Sequence, residues 1–80
     1  MSVELGIVSL SDRQLDPRTR QLVDAQQRLS EIVAYAELAD TLGLDVFGLG
    51  EHHSADFVVS SPAVVLAAVA ARTRTIRLTS

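Results

Sequence analysis

Three neighbouring titratable residues, Glu51, His52 and His53, have the types and spacing best suited to chemistry. Histidine exchanges protons near neutral pH because its unperturbed pKa is about 6.5, so they favour general acid–base chemistry. Adjacent side chains of an extended strand point to opposite faces, which would put Glu51 and His53 together and His52 opposite unless the strand has already ended. This alternation disfavours a two-histidine metal site, and we predict no bound metal. The same residues could instead cap a buried strand or bond a neighbouring loop.

Other motifs carry weaker signals. Asp12 follows an apolar run, where it could contact a substrate or simply form a turn. Gly48 and Gly50 do not make a dinucleotide fingerprint, since position 53 is histidine, and they are typical of close packing. Ser61 and Pro62 predict a helix N-cap and first helical residue, although the amides there could also face an anion.

The apolar pattern predicts five elements that position these residues. A helical stripe ends at Gly43, which supplies a left-handed stop. The second helix is apolar almost all round, so it should be covered on most sides. The predicted elements are a strand over Leu5–Leu10, a helix over Leu22–Leu42, a strand over Leu44–Gly50, a helix over Pro62–Arg72 and a strand over Thr75–Thr79.

This β-α-β-α-β order indicates a parallel sheet of class α/β. A doubly wound sheet and a (β/α) barrel would both contain it. In either fold, ligands bind beyond the carboxyl ends of the strands. In this chain those ends are Ser9–Arg13, Gly50–Asp56 and Thr79-Ser80, which would gather Asp12, the Glu51–His53 group and Ser80 along one edge.

Composition excludes several classes of protein. The chain has 80 residues, 48% of them hydrophobic, and no cysteine, so disulfides and thiolate metal sites are ruled out. A net charge of −3 gives no reason to expect nucleic-acid binding. The start of the chain lacks the basic region of a signal peptide, and the longest apolar run, Pro62–Ala71, is too short to span a bilayer. We therefore expect a cytoplasmic protein without membrane contact.

Over nearly its whole length the chain resembles the N-terminal segment of the bacterial luciferase-like flavin monooxygenases. The resemblance rests on short motifs that occur in order at matching spacings. They are Gln27-Arg28, Ala39-Asp40, Leu42-Gly43-Leu44-Asp45, Gly50-Glu51-His52-His53, Asp56-Phe57, Ser60-Ser61-Pro62 and Ala71-Arg72-Thr73-Arg74-Thr75-Ile76-Arg77-Leu78.

The resemblance implies a TIM (β/α) barrel that oxidises a small organic substrate with O2 and reduced FMN, or a deazaflavin in one branch of the family. A separate flavin reductase or other reductant would supply the reduced cofactor, and a homo-oligomer is expected. His52 matches the histidine implicated in acid–base catalysis near the flavin. Glu51, His53, Ser80 and Asp12 would then lie around the flavin and substrate pocket.

The resemblance also implies that residues 1–80 form a partial barrel domain with three of eight strands. The flavin phosphate site of such barrels usually lies in the loops after strands seven and eight. The isolated chain is therefore expected to be inactive as an enzyme. The alternative interpretation is a non-catalytic fragment that associates through its unclosed sheet edges.

Overall fold

The computed structural model describes residues 3–13, 16–21, 24–51, 57, 59 and 61–80. Its elements are β1 (Gly6–Ser9), α1 (Ala25–Thr41), β2 (Val46–Leu49), α2 (Pro62–Ala70) and β3 (Arg77–Thr79). The predicted order of strands and helices is confirmed. Each strand is shorter than predicted, and α2 ends two residues before Arg72.

The three strands form one parallel sheet in the order β1-β2-β3. Val8, Gly48 and Thr79 lie level across it. A Cβ added to Gly48 would lie 3.2 Å from Val8 Cγ2 and 3.5 Å from Thr79 Cγ2. Gly48 therefore lets its two neighbours close over the middle of the sheet, which confirms the close-packing interpretation of this glycine.

The core lies between the sheet and the two helices. Phe47 and Leu49, alternate residues of β2, contribute to it from the sheet, and Val69 contributes from α2. On α1 the buried residues are Arg28, Ile32, Ala36 and Ala39. This stripe has the predicted helical period, whereas Leu38 and Leu42, which lie off it, are 53% and 69% exposed.

Local side-chain chemistry fixes the ends of α1. Asp24 is its N-cap and accepts a hydrogen bond of 2.9 Å from the Gln27 amide. Leu42 is the C-cap, and the following Gly43 has a φ of 82°, the left-handed conformation that glycine adopts without steric cost. The predicted glycine stop is confirmed.

The second helix departs from two predictions. Ser61 is its N-cap and Pro62 opens it, but the Ser61 side chain makes no capping hydrogen bond. The helix is also less covered than its composition suggested, since Pro62 and Val69 are its buried residues and Val64 is 70% exposed. Two helices and three short strands provide too little surface to cover it.

Within the described ranges, no helix is long and apolar enough to cross a membrane.

Candidate functional site

Parallel pairing places the carboxyl ends of all three strands along one side of the sheet. We call this side the carboxyl edge (residues 9–13, 50–51 and 79–80). Glu51 lies two residues past β2 and is exposed, and Ser80 directly follows β3 and is also exposed. Asp12 lies in the first loop, residues 10–13 after β1, with its side chain 47% exposed. The structure thus places Asp12, Glu51 and Ser80 at one edge of the sheet, in the order of their strands.

His52 and His53, the residues to which we assigned acid–base chemistry, lie outside the described residues. Glu51 before them and Phe57 after them are described. The described residues contain no cluster of three or more His, Asp or Glu side chains suited to a metal ion.

Hydrogen bonds join the first loop to the end of β2. The Gly50 amide donates to the Ser9 carbonyl at 2.9 Å, and the Ser11 hydroxyl donates to the Gly50 carbonyl at 3.3 Å. Ser11 is fully buried and has a φ of 64°, which is uncommon for a residue other than glycine. Its amide donates to Ser9 Oγ at 3.1 Å. The chain therefore turns sharply at Ser11, and the loops after β1 and β2 are held together.

A second contact connects the first loop to the segment beyond the histidines. Asp12 and Phe57 form an isolated antiparallel bridge. With the contacts of Gly50, it fixes both described ends of the 51–57 stretch against the first loop. Asp12 is therefore a structural turn residue as well as a residue at the carboxyl edge, so both interpretations given to it describe its position.

Arg28 of α1 is hydrogen-bonded to the first loop. The sequence analysis did not identify it as a site residue. Its Nε donates to the Asp12 carbonyl at 2.6 Å, and its Nη2 lies 3.5 Å from Asp12 Oδ1. Its side chain is 5% exposed. A signal was available: Arg28 precedes Ile32 by four residues, so it lies on the buried stripe of the helix. A charged residue on such a stripe indicates a polar contact beneath the surface.

A groove of about 350 Å³ runs between the outer strand β1 and α1. Its lining is mostly apolar and includes Ile7, Leu10, Ile32 and Tyr35, with Asp12 and Arg28 at one end. The groove follows the side of β1, away from Glu51 and Ser80, so it is separate from the middle of the carboxyl edge where the predicted chemistry lies.

Comparison with known proteins agrees with this arrangement. A family model described as luciferase-like monooxygenase matches residues 3–80. The crystal structure of apo-MsnO8 is similar, with a TM-score of 0.80 and 29% identity over 96% of this chain and 22% of that protein. No curated protein matches the chain.

A second solved structure is the oxygenating constituent of 3,6-diketocamphane monooxygenase from the CAM plasmid of Pseudomonas putida, a type II Baeyer-Villiger monooxygenase in complex with FMN. It gives a TM-score of 0.80 and 24% identity over 98% of this chain and 20% of that protein. The chain therefore spans about a fifth of the length of these structures. The predicted fold class, the N-terminal β-α-β-α-β part of a (β/α) barrel with parallel strands, is confirmed.

Proposed function

Because the chain belongs to the luciferase-like monooxygenase family, we propose that it forms the N-terminal part of a flavin-dependent monooxygenase. In the proposed reaction, one oxygen atom of O2 enters a small organic substrate and the other leaves as water. Reduced FMN supplies the two electrons and two protons and becomes oxidised FMN. The observation that carries the proposal is the family match over residues 3–80, in a fold that gathers Asp12, Glu51 and Ser80 at the carboxyl edge.

The described part of the carboxyl edge offers few donors for the phosphate of a flavin. Ser80 is exposed and adds a hydroxyl group at this edge, whereas Ser11 is buried and its hydroxyl already donates to the Gly50 carbonyl. A phosphate needs several donors aimed at one point, whereas the Arg28 guanidinium is buried and directed at Asp12. The remaining strands of the proposed eight-stranded barrel would supply the phosphate site, in the loops where such barrels usually hold it.

His52 is the proposed acid–base residue, with Glu51, His53, Ser80 and Asp12 around the flavin and substrate pocket. Bound flavin would supply the redox chemistry, while His52 would hold or release a proton at an imidazole nitrogen. His53 is the adjacent imidazole and is assigned to the pocket lining, not to proton transfer, so it provides a matched control for His52. The short loop contacts of Ser9, Ser11 and Gly50 fix where this segment begins.

Substitution of His52 tests this role directly. In the full-length protein supplied with reduced FMN, we expect His52→Ala to slow single-turnover substrate oxidation by roughly 10²–10⁴-fold, the usual contribution of a positioned acid or base. His53→Ala should slow it much less. Equal rates for the wild type and His52→Ala from about pH 6 to about pH 9, a range that includes most of the charge change of histidine between about pH 5 and about pH 8, would exclude the role.

The partners follow from the proposed reaction. They are O2, a small-molecule substrate, and a flavin reductase or other reductant. We further propose that the protein is cytoplasmic and forms a homo-oligomer. A deazaflavin-dependent oxidoreductase is the alternative cofactor choice, in which a hydride is transferred and O2 is not consumed. Measuring O2 consumption with reduced FMN distinguishes the two, because only the monooxygenase consumes O2 in step with product.

A second candidate is a non-catalytic fragment that associates with other chains, and the exposed side chains of β1 favour it. Val8 is 70% exposed and Ile7 is 39% exposed on this outer strand, and the flanking Leu5 and Leu10 are 60% and 61% exposed. Apolar outer strands pair readily with other chains. Titration of the 80-residue chain with reduced and oxidised FMN tests this candidate, since stoichiometric flavin binding would contradict a non-catalytic fragment. Light scattering tests the association, since a folded monomer would show that the chain needs no partner.

A further inference from the structure

Arg28 is a charged side chain in an unusual place. The residue is 4% exposed and belongs to the buried stripe of α1 with Ile32 and Ala36. Burial of a guanidinium is costly unless its donors are paired. Its Nη1 is buried without a hydrogen-bond partner and lies 3.7 Å from Glu31 Oε2, within ion-pair range but too far for a hydrogen bond. Its remaining contacts therefore identify what this buried charge holds in place.

The strongest of those contacts is made with the backbone. The Nε–H donates to the Asp12 carbonyl at 2.6 Å, whereas the contact of Nη2 with the Asp12 carboxylate is 3.5 Å long. A hydrogen bond of the shorter length is strong, and one at the longer distance contributes little. Arg28 thus fixes the path of the main chain at Asp12, and the carboxylate of Asp12 is a secondary partner.

The position of Asp12 affects both sides of the stretch that contains the proposed catalytic histidine. Asp12 forms the bridge with Phe57, and the adjoining Ser11 donates to Gly50. Gly50 directly precedes the 51–57 stretch, and Phe57 is its last residue. Movement of the first loop would therefore shift both of its described ends relative to β2.

We propose that Arg28 is a positioning residue of the carboxyl edge, which acts through the Asp12 carbonyl to hold the first loop, Gly50 and Phe57 in register. As far as it concerns catalysis, this inference rests on the function proposed above. Arg28 itself contacts neither flavin nor substrate, since its donors are directed at Asp12 and Glu31.

Three substitutions separate this role from simple ion pairing. Arg28→Met keeps an unbranched side chain and removes every donor, and its partners Asp12 and Glu31 are partly exposed, so the substitution leaves no buried charge unpaired. Arg28→Lys keeps the charge but lacks the planar fork that includes Nε. Asp12→Ala is the matched control, because it removes the carboxylate and leaves the backbone carbonyl that accepts the short hydrogen bond.

The primary measurement is amide hydrogen exchange at residues 11, 12, 50 and 57. We expect Arg28→Met and Arg28→Lys to speed it by about tenfold or more, and Asp12→Ala to change it by less than about threefold, as local opening without global unfolding would. The Thr75 and Ile76 amides should exchange as in the wild type. Unchanged exchange in both Arg28 variants would overturn the proposal, and so would an Asp12→Ala effect as large as theirs.

Binding of FMN by the full-length protein gives the functional readout. We expect Arg28→Met to weaken FMN binding, followed by flavin fluorescence, by about three- to tenfold while the urea midpoint of unfolding stays within error, which a purely structural role would not produce. Unchanged affinity would overturn the positioning role. If the wild type fails to bind FMN, the proposed function fails, while the exchange measurement still decides whether Arg28 holds the loop. If amide hydrogen exchange in Arg28→Met is faster throughout the chain, the variant is globally unfolded, and both measurements are then made on Arg28→Lys.

Discussion

The two ends of α1 make polar contacts of opposite character with the two edges of the sheet. Near its end, Asp40 accepts hydrogen bonds of 2.9 Å from the amides of Arg74, Thr75 and Ile76 and one of 3.1 Å from the Thr75 hydroxyl. Near its beginning, Arg28 is more deeply buried, yet its Nη1 has no hydrogen-bond partner.

The difference matches the expected division of labour in parallel α/β proteins. The Asp40 contacts lie where β3 begins, which we call the amino edge (residues 3–5, 44–45 and 74–77), and this side of a barrel generally serves stability. The Arg28 contact lies at the carboxyl edge, where such folds place their chemistry. Both contacts fix a loop. Asp40 receives several hydrogen bonds at the amino edge, whereas Arg28 at the carboxyl edge keeps one donor nitrogen, Nη1, without a hydrogen-bond partner.

Asp40→Asn should give the largest change in stability. Three backbone amides, those of Thr75 first and then Ile76 and Arg74, lower the pKa of the Asp40 carboxyl from 3.8 to about 2. The amide nitrogen of asparagine would face one of these donors, so we expect the urea midpoint to fall at pH 7. Hydrogen exchange at residues 11, 12, 50 and 57 should remain as in the wild type.

The pH dependence of the same variant sharpens this expectation. The folded-state pKa lies below the unfolded value, so the carboxylate stabilises the protein above about pH 4 and loses that contribution as the pH falls through about 2. The difference between the wild type and Asp40→Asn should be constant near neutrality and shrink below about pH 4. A difference that persists undiminished at about pH 2 would contradict the role of ionised Asp40.

Thr75→Val should have a smaller effect on the same contact. It removes the hydroxyl that donates to Asp40 Oδ1 at 3.1 Å and leaves the three backbone donors in place. We expect the urea midpoint to fall by less than half of the change in Asp40→Asn, because one donor of four is lost at an exposed position. An equal change would show that the hydroxyl, and not the backbone, carries the contact.

Glu4→Gln should have the smallest effect, although it breaks an ion pair at the same amino edge. Glu4 accepts a hydrogen bond from Arg77, but both side chains are about three-fifths exposed. Exposed pairs of this kind typically contribute about 0.2–1 kcal/mol. A thermal or urea denaturation curve of Glu4→Gln should nearly overlay that of the wild type, and a loss as large as that of Asp40→Asn would remove the distinction between paired backbone and exposed ion pair.

The apolar periodicity was enough to predict the helices, the strands and their order, whereas the choice of a barrel over a doubly wound sheet came from the family resemblance. The features that the periodicity missed are polar contacts. Alternation and the 3.6-residue stripe predicted three parallel strands and two helices in the right order. The third strand begins two residues later than predicted because the amides of Thr75 and Ile76 bind Asp40 and are not available to a strand ladder. Such capture of backbone groups depends on a residue 35 positions away, which no local pattern contains.

The candidate site was predictable in position but not in its supporting contacts. Strand order alone placed Asp12, Glu51 and Ser80 at one edge. The helical stripe could have shown that Arg28 is buried, but not what it contacts, because its main partner is a backbone carbonyl group and every residue carries one. The assignment of His52 as catalyst and of His53 as its neighbour stays a prediction.

The turn at Ser11 restricts which amino acids the first loop tolerates. Its backbone needs a conformation that glycine and asparagine adopt at least cost, its side chain has no room to grow, and its hydroxyl reaches Gly50. Few residue types meet all three demands. The neighbouring Leu10 is 61% exposed, and its position imposes none of these demands. A library that randomises this loop would therefore gain diversity at position 10 and lose folded members at position 11.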